Sequence, residues 1–258
     1  FMKNIVVVGS HGKTTTTSLV SSIFEKTKLD PTIINGGIIN SIKSTAKLGK
    51  SDWSILEADE SDGSFVHISP TYSILTNIDR EHMDFYKSMK DIKKYFLKFI
   101  QKVPSFGKSF ICIDDRINNE LIKEIKNKNF YTYGVKSNAN FLIKNIYQTE
   151  RYSKFDLLVS LPNKKKLALR NFKIPLLGIH NIRNSTAAIA VAFILGISTS
   201  NIKKGLINFK GVQRRFNKIF SYNGIDFFDD YAHHPTEIKS VLEGVKAVYG
   251  KHEKVCIF

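Results

Sequence analysis

A glycine-bounded loop between an apolar run and a helix constrains this chain more than any other feature. The run from Ile5 to Val8 is apolar, and Gly9-Ser10-His11-Gly12-Lys13-Thr14 follows it directly. Glycines let backbone N–H groups point at phosphate oxygens, the lysine reaches the terminal phosphates, and the threonine hydroxyl can hold Mg²⁺. Val7 stands where the usual G-x-x-x-x-G-K-[ST] pattern has its first glycine. The order of strand, loop and helix still predicts a nucleoside triphosphate site rather than an ordinary strand-to-helix turn.

Composition is typical of a soluble globular protein. The 258 residues are 42% hydrophobic and 24% charged, which is enough for one large or two modest domains. No apolar run approaches the ~20 residues of a membrane span, and the apolar run near the start is too short for a secretory signal. Cys112 and Cys256 lie in apolar, strand-like runs, which suggests reduced cysteines and a cytoplasmic location.

The chain is strongly basic, with 39 Lys+Arg against 23 Asp+Glu and a net charge of +16. Such an excess can attract nucleic acid, an anionic membrane or small phosphorylated substrates. The lysines are scattered, however, and no cluster alternates with aromatic residues in a base-stacking pattern. A lysine-rich solvated surface is the favoured interpretation, and neither a nucleic acid nor a membrane is expected as a partner.

Alternating strands and helices predict an α/β fold with a P-loop NTPase-like, mostly parallel sheet and flanking helices. Ligands bind such sheets at the carboxyl ends of the strands. Gly36-Gly37 is expected to form a turn, and residues 139–176 are expected to form a small antiparallel region with turns at Pro162-Asn163 and Arg170-Asn171. The predicted strands before residue 134 are 3–8, 31–35, 54–58, 72–76 and 109–113, and the predicted helices are 13–28, 89–103 and 116–127.

The last part of the chain has the pattern of a second domain. Helices are predicted at 181–195 and 201–209, strands at 216–222 and 225–229, a helix at 236–249 and the start of a strand at 254. A parallel strand with nothing covering it cannot end a domain. We therefore expect residues 1–212 to form one domain and residues 213–258 to be the incomplete start of a Rossmann-like α/β domain.

Two polar stretches follow the third and fourth predicted strands. Residues 57–65 contain four carboxylates, including Glu60, and bunched acids repel one another unless a cation such as nucleotide-bound Mg²⁺ is present. A solvated acidic loop is the alternative. Residues 76–84 contain His82, which could ligate a metal, orient a substrate or be structural.

Two later stretches could contact the rest of a nucleotide. Asn181 and Asn184 share one helix face, where two amides could read an adenine edge or cap the helix. Arg214 and Arg215 offer guanidinium forks to phosphate or carboxylate, and an acid in the stretch 229–237 could bind a ribose.

Taken in order, these five motifs resemble the Mur ligase family, ATP-dependent ligases that build the peptide stem of bacterial cell-wall precursors. Within the family, the loop at 9–17 and the stretches at 57–65, 79–84 and 229–237 look most like the branch that attaches L-alanine to UDP-N-acetylmuramate. A sister branch that attaches a recycled tripeptide to the same sugar nucleotide is the nearest alternative, and Glu-Ser-Asp-Gly-Ser at 60–64 disfavours it.

The resemblance implies an ADP-forming carbon–nitrogen ligase of peptidoglycan biosynthesis, with ATP and Mg²⁺ as cofactors. Lys13 and the loop amides would hold the β- and γ-phosphates, the two asparagines would read adenine, Arg215 would contact phosphate and Asp230 ribose. The implied nucleotide-binding residues are Gly9, Ser10, His11, Gly12, Lys13, Thr14, Thr15, Asn181, Asn184, Arg215 and Asp230; the implied catalytic residues are Lys13, His82, His233 and His234; and the implied metal ligands are Thr14, Glu60 and His82.

The resemblance also implies a two-step reaction, in which ATP converts the muramyl carboxylate into an acyl phosphate and the amine of L-alanine displaces the phosphate. Relatives carry an N-terminal UDP-binding domain and a longer C-terminal domain, so this sequence is expected to bind nucleotide without ligating. A P-loop NTPase of regulatory or nucleic-acid-linked function is the remaining alternative, although it leaves the acidic and His-His-Pro stretches without a role. The sequence leaves the oligomeric state open.

Overall fold

The computed structural model describes residues 3–25, 27–250 and 252–257, and its main element is a ten-stranded mixed sheet with hydrophobic cores on both faces. The strands are β1 (Lys3–Val8), β2 (Thr32–Ile39), β3 (Ser44–Lys47), β4 (Trp53–Glu57), β5 (Tyr72–Leu75), β6 (Lys108–Cys112), β7 (Phe130–Gly134), β8 (Phe141–Gln148), β9 (Ser153–Val159), β10 (Leu167–Ile174), β11 (Asn217–Tyr222) and β12 (Ile225–Asp229). The helices are α1 (Lys13–Phe24), α2 (Met89–Ile100), α3 (Arg116–Glu124), α4 (Ile179–Ile194), α5 (Thr199–Ile207) and α6 (Pro235–Tyr249), with a short 3₁₀ helix at Ser64–His67.

The predicted fold class is confirmed. The strand order is β10-β9-β8-β7-β6-β5-β1-β4-β2-β3, and the pairs from β2 through β8 in this order are parallel. The antiparallel hairpins of β8, β9 and β10 extend the same sheet because β8 pairs in parallel with β7. β3 adds an antiparallel edge strand that the sequence pattern did not predict.

β1 lies in the interior of the sheet and is covered on both faces. Ile5 and Val7 belong to the core that contains α1, α4 and α5, while Val6 and Val8 belong to the core that contains α2 and α3. A strand buried on both sides has no polar positions, which explains the continuous apolar run. The loop that follows β1 therefore leaves the sheet from a rigid support.

α1 is shorter and more buried than its sequence pattern predicts. It ends at Phe24 rather than at residue 28, and every side chain from Thr14 to Phe24 is buried, because β-strands, α4 and α5 surround it. Two of its buried polar residues bond within the helix: the hydroxyls of Ser18 and Ser21 donate to the carbonyls four residues earlier, at 2.8 Å each.

Two predicted turns are irregularities inside strands. Gly36-Gly37 lies within β2, where the pairing register shifts between Ile34 and Ile39, and Arg170-Asn171 lies at a similar shift within β10. Bulges use the same residue types as turns, since both require unusual backbone angles. The turn at Pro162-Asn163, between β9 and β10, is confirmed.

Residues 213–258 contribute a separate antiparallel pair, β11 and β12, followed by α6. The strand expected from residue 254 is wrong for residues 254–257, which are unpaired, and residue 258 lies outside the described residues. Val255 and Ile257 are 88% and 91% exposed, because an apolar run becomes a strand only beside a partner that completes its hydrogen bonds. The division into domains at 212/213 stays a prediction. None of the helices described here is long and apolar enough to cross a membrane.

The close packing of α5 against α1 can be tested by a substitution at Gly205. A Cβ added at Gly205 would lie 2.5 Å from the Ile23 Cα, and the hydroxyl of Ser22 donates to the Gly205 carbonyl at 2.8 Å. Gly→Ala in a helix normally stabilises by about 0.5–1 kcal/mol, but here the added methyl must push two backbones apart. We expect Gly205→Ala to lower the free energy of unfolding by about 1–3 kcal/mol in urea denaturation. Lys204→Ala on the same helix is the control and should change it by less than about 0.5 kcal/mol; a stabilised Gly205→Ala would contradict the packing described.

Candidate functional site

The loop after β1 has a backbone that only glycine allows at two positions. Gly9 has φ +135° and Gly12, at the N-terminus of α1, has φ +81°. A Cβ at Gly9 would lie 2.1 Å from the Thr76 hydroxyl, and one at Gly12 would lie 2.8 Å from Asn184 Oδ1. The loop therefore fits tightly between the end of β5 and α4, with the amides of α1 at its open side.

Asn77, the second residue after β5, holds the loop in place through three hydrogen bonds. Its carbonyl accepts from the amide of Ser10 at 3.0 Å, and its side chain both accepts from the His11 amide at 2.8 Å and donates to the His11 carbonyl at 3.0 Å. Sequence analysis assigned Asn77 no role, although an amide directly after a strand beside the loop strand is a usable signal.

Lys13 is paired with a buried carboxylate. Its ammonium lies 2.6 Å from Glu60 Oε2 and 2.8 Å from Glu60 Oε1, and His82 Nε2 lies 3.7 Å from the same Oε1. Glu60 is 2% exposed, and this burial raises the pKa of its carboxyl while Lys13 opposes the shift. A carboxylate in this position needs a neighbouring cation to remain ionised.

Of the three predicted metal ligands, Glu60 and His82 lie together, whereas Thr14 bonds to Glu57. Ligand atoms of Asp59, Glu60 and His82 lie within 4.8 Å of one another, so two of the three predicted ligands are together. The hydroxyl of Thr14 instead donates to Glu57 Oε1 at 2.9 Å, and Glu57 Oε2 accepts from the Gly36 amide at 2.6 Å. The oxygen-rich group around Glu60 suits a hard cation such as Mg²⁺. Sequence analysis assigned Glu57 no role of its own. Its position at the carboxyl end of β4, where ligands bind such sheets, is the feature that could have indicated one.

A cavity of about 380 Å³ opens beside the loop, between α4 and α6. Predicted residues that are far apart in sequence line it together. The other predicted site residues are not among its lining residues: Gly9, Ser10, Lys13, Thr14, Glu60, His82, His233 and His234. The predicted residues that line it are His11, Gly12, Thr15, Asn181, Asn184, Arg215 and Asp230.

α4 presents four polar side chains to this cavity, those of His180, Asn181, Arg183 and Asn184. Asn181 Nδ2 donates to the Leu177 carbonyl at 2.7 Å, which leaves its carbonyl oxygen for another partner, and Asn184 lies against Gly12. His180, which sequence analysis did not select, also lines the cavity. Burial, with a smaller effect of Arg183, lowers the pKa of His180 to about 4, so the imidazole is neutral at physiological pH.

Arg215 and Asp230 enter the cavity from the other side. Asp230 accepts backbone N–H groups from Phe216 and Ala232 at 2.7 Å each, and Arg215 Nη1 lies 3.8 Å from Glu237 Oε1. Burial raises the pKa of Asp230. Its carboxylate is thus oriented by the backbone of the β11–β12 region.

The adjacent histidines His233 and His234 have different surroundings. The His234 ring lies against the His11 ring with centroids 4.8 Å apart, whereas the side chain of His233 is 70% exposed and bonds to the Tyr231 carbonyl at 3.1 Å. The structure brings His234 to the loop and leaves His233 at the surface.

His11 is the centre of a charged network that joins the loop to α6. Its Nε2 lies 3.0 Å from Asp79 Oδ2, and its Nδ1 lies 3.4 Å from Glu237 Oε1 and 3.7 Å from Glu81 Oε1. Thr236 also donates to Asp79 Oδ2, at 2.6 Å. Asp79 and Glu237 therefore connect the two parts of the chain, a role that the sequence pattern did not show.

Comparison with known proteins gives consistent matches. The Mur ligase middle domain matches residues 7–192, and the Mur ligase, glutamate ligase domain matches residues 214–258. The UDP-N-acetylmuramate–L-alanine ligase of Pelagibacter ubique is 70% identical over 256 residues, covering 99% of this chain and 55% of the relative. The enzyme of the same name from Rickettsia rickettsii is 46% identical, covering 96% of this chain and 52% of the relative. The chain thus spans about half the length of these relatives.

Solved structures give the same fold. The UDP-N-acetylmuramate–alanine ligase of Thermotoga maritima matches with a TM-score of 0.80 and 27% identity, covering 96% of this chain and 55% of that one. A murein peptide ligase from Psychrobacter arcticus matches with a TM-score of 0.72 and 25% identity, covering 95% and 55%.

The His11 network should make stability depend on pH. Burial lowers the pKa of His11, but Glu237, Glu81 and Asp79 raise it further, so the net shift is upward from 6.5. His11 thus contributes stability that is present below pH 6.5 and lost as the pH rises through its folded-state pKa. The pKa values of Asp79 and Glu237 fall to about 2 despite burial, because Thr236 and His11 bond to Asp79 and because His11 and Arg215 lie close to Glu237, so their contributions are lost only in strong acid.

We expect His11→Gln to reduce the unfolding temperature by about 2–4 °C near pH 5.5, and by much less near pH 8.5. Scanning calorimetry of both proteins at each pH measures this difference. His67→Gln, at an exposed position, is the control and should show no such dependence. A difference that grows toward alkaline pH would contradict the network.

Proposed function

Because the chain belongs to the Mur ligase family, we propose that it forms the nucleotide-binding part of an ATP-dependent ligase that joins L-alanine to UDP-N-acetylmuramate. The observation that carries this proposal is the single cavity beside the phosphate loop, lined by side chains from both ends of the chain. Its volume of about 380 Å³ lies in the range of small-molecule sites, and its polar groups match the parts of a nucleotide.

The proposed assignment follows the cavity outward from the loop. Ser10, Gly12, Lys13 and the first amides of α1 bind the β- and γ-phosphates, where the helix N-terminus favours negative charge. Asn181 and Asn184 contact adenine, and Asp230 contacts ribose. The nucleotide phosphates compete with Glu60 for the ammonium of Lys13, which is 2.6 Å from that carboxylate.

The residues present fit Mg²⁺, which would neutralise phosphate charge. Glu60 and His82 are its proposed ligands, with Asp59 beside them; the Thr14 hydroxyl joins them by exchanging its bond to Glu57. Ligation needs the substrate carboxylate to become an acyl phosphate, since a free carboxylate is a poor acyl donor. The contribution of this chain is to align the γ-phosphate and screen its charge. We propose that His233 and His234 contact the reacting carboxylate after the domains close; His234 already lies against His11, and the side chain of His233 lies at the surface.

The two alternatives are less well supported. The named L-alanine ligases are 46% and 70% identical to this chain, whereas the murein peptide ligase is 25% identical, which favours the alanine-adding branch. Family membership, together with the contact of His82 with the buried Glu60, disfavours a regulatory or nucleic-acid-linked NTPase. We also propose that residues 1–212 and 213–258 belong to different domains, with ATP bound where they meet.

The first expectation concerns the phosphate loop. Lys13→Ala should weaken Mg·ATP binding at least tenfold, about 1.4 kcal/mol, because the γ-phosphate loses its nearest cation. Isothermal titration calorimetry measures the affinity, and Lys87→Ala, an exposed lysine outside the site, should leave it unchanged. Equal affinity in wild type and Lys13→Ala would contradict the assignment.

Lys13→Ala leaves the buried Glu60 without its partner, so a loss of affinity could also come from misfolding. A second variant separates these two causes. The double variant Lys13→Ala/Glu60→Gln removes that unpaired charge and should still bind weakly. Glu60→Gln alone should lower affinity with Mg²⁺ present and matter much less in EDTA. An equal loss in both conditions would mean that Glu60 acts on folding and not on the metal.

The second expectation concerns the reaction. A chimera in which this chain replaces the matching 256 residues of the Pelagibacter ligase should release ADP only with both UDP-N-acetylmuramate and L-alanine. Lys13→Ala in the chimera is the control and should abolish release. Faster release with a tripeptide than with L-alanine would instead support the recycling branch.

A further inference from the structure

A second group of metal-ligating side chains lies at the loop, separate from the group around Glu60. Ligand atoms of His11, Glu81 and His234 all lie within 4.8 Å of one another. They come from the phosphate loop, from the segment after β5 and from the N-terminus of α6, so only the fold brings them together. This group shares no residue with the Asp59–Glu60–His82 group proposed for Mg²⁺.

The separations suit a small four-coordinate cation. His11 Nδ1 lies 3.7 Å from Glu81 Oε1 and 3.4 Å from Glu237 Oε1. Tetrahedral Zn²⁺ holds nitrogen and oxygen ligands at about 2.0–2.2 Å, which places neighbouring ligands about 3.3–3.6 Å apart. The separation of His11 and Glu237 already matches this value, whereas His234 and Glu81 offer ligand atoms within 4.8 Å, so these two side chains must approach by up to about 1 Å to complete the site.

His11 is oriented as a metal-binding histidine usually is. Asp79 Oδ2 lies 3.0 Å from its Nε2, so the carboxylate can hold the proton there and leave the Nδ1 lone pair free. Nδ1 is buried, and it has no hydrogen-bond partner among the described residues. This nitrogen lies 3.7 Å from Glu81 Oε1 and 3.4 Å from Glu237 Oε1, and a cation between these atoms would give it a partner.

The choice of metal follows from the donor set. Two imidazoles and one or two carboxylates favour a borderline cation such as Zn²⁺, whereas Mg²⁺ prefers oxygen ligands. We propose that His11, Glu81 and His234, with Glu237 as fourth ligand, form a site for a borderline divalent cation such as Zn²⁺. A cation bound there ties the phosphate loop to α6. The proposal goes beyond the proposed function and does not rest on it.

Zinc titration without nucleotide tests the site. The 258-residue chain is used in a Cys256→Ser background, since Cys256 is an exposed thiol that could bind Zn²⁺ itself. After treatment with a chelator, calorimetry should give one Zn²⁺ per chain in the presence of excess Mg²⁺. His234→Gln and Glu81→Gln should each weaken binding at least tenfold, and His67→Gln should leave it within twofold.

Cobalt gives a second readout and a check on folding. Co²⁺ in the site should show the visible absorption of four-coordinate cobalt, and both ligand variants should lose it while keeping the wild-type circular dichroism. The proposal is overturned if His234→Gln and Glu81→Gln bind Zn²⁺ as tightly as wild type. It is also overturned if His82→Gln removes binding and His234→Gln does not, because the metal then lies in the Glu60 group. Mg·ATP binding is measured separately, so either proposal can fail alone.

Discussion

The contact between the phosphate loop and the end of β5 determines where every other part of the site lies. Gly9 approaches the backbone of Asn77 so closely that a Cβ at Gly9 would lie 2.9 Å from the Asn77 carbonyl oxygen. The side chain of Asn77 accepts a hydrogen bond from the His11 amide and donates one to the His11 carbonyl. Because β1 and β5 are buried neighbours in one sheet, the loop is attached to a rigid support on both sides of this contact. Lys13 then begins α1 at a fixed point, and Asp79, two residues beyond Asn77, faces α6. One short segment thus sets both the phosphate-binding amides and the contact with the last helix.

The fold was predictable where local pattern and tertiary environment agree. β1 and the α6 region were recognised within one residue, because a buried strand and a proline-initiated amphipathic helix each carry a strong local pattern. The turn predicted at Gly36-Gly37 was wrong, since Gly36 closely approaches Glu57 of β4 and Gly37 closely approaches Thr14 and Val212, contacts that only the tertiary structure creates. The strand at residue 254 failed for the related reason that pairing is a property of two segments.

The residues of the candidate site also fall into those that the sequence pattern could select and those that it could not. Motif residues such as Lys13, Glu60 and Asn184 could be selected because their residue types already point to phosphate, cation and base. Asp79 and Glu237 could not, because their roles arise only when the loop after β1, the segment after β5 and α6 meet: an Asp and a Glu 158 positions apart both contact one histidine ring. His180 was missed because its burial, which keeps it neutral, is decided by the packing of α4 against its neighbours.

The local charge of the site is opposite to that of the whole chain. The net charge is +16, yet Glu57, Glu60, Asp79 and Glu237 surround a loop whose nearest cations are Lys13 and Arg215, each already within 4 Å of a carboxylate. A triphosphate entering there would add negative charge to carboxylates that are partly buried and weakly screened. Lys13 alone cannot neutralise both Glu60 and a phosphate. We therefore expect binding of an anion at this loop to be coupled to uptake of a cation, with the acidic residues as its ligands.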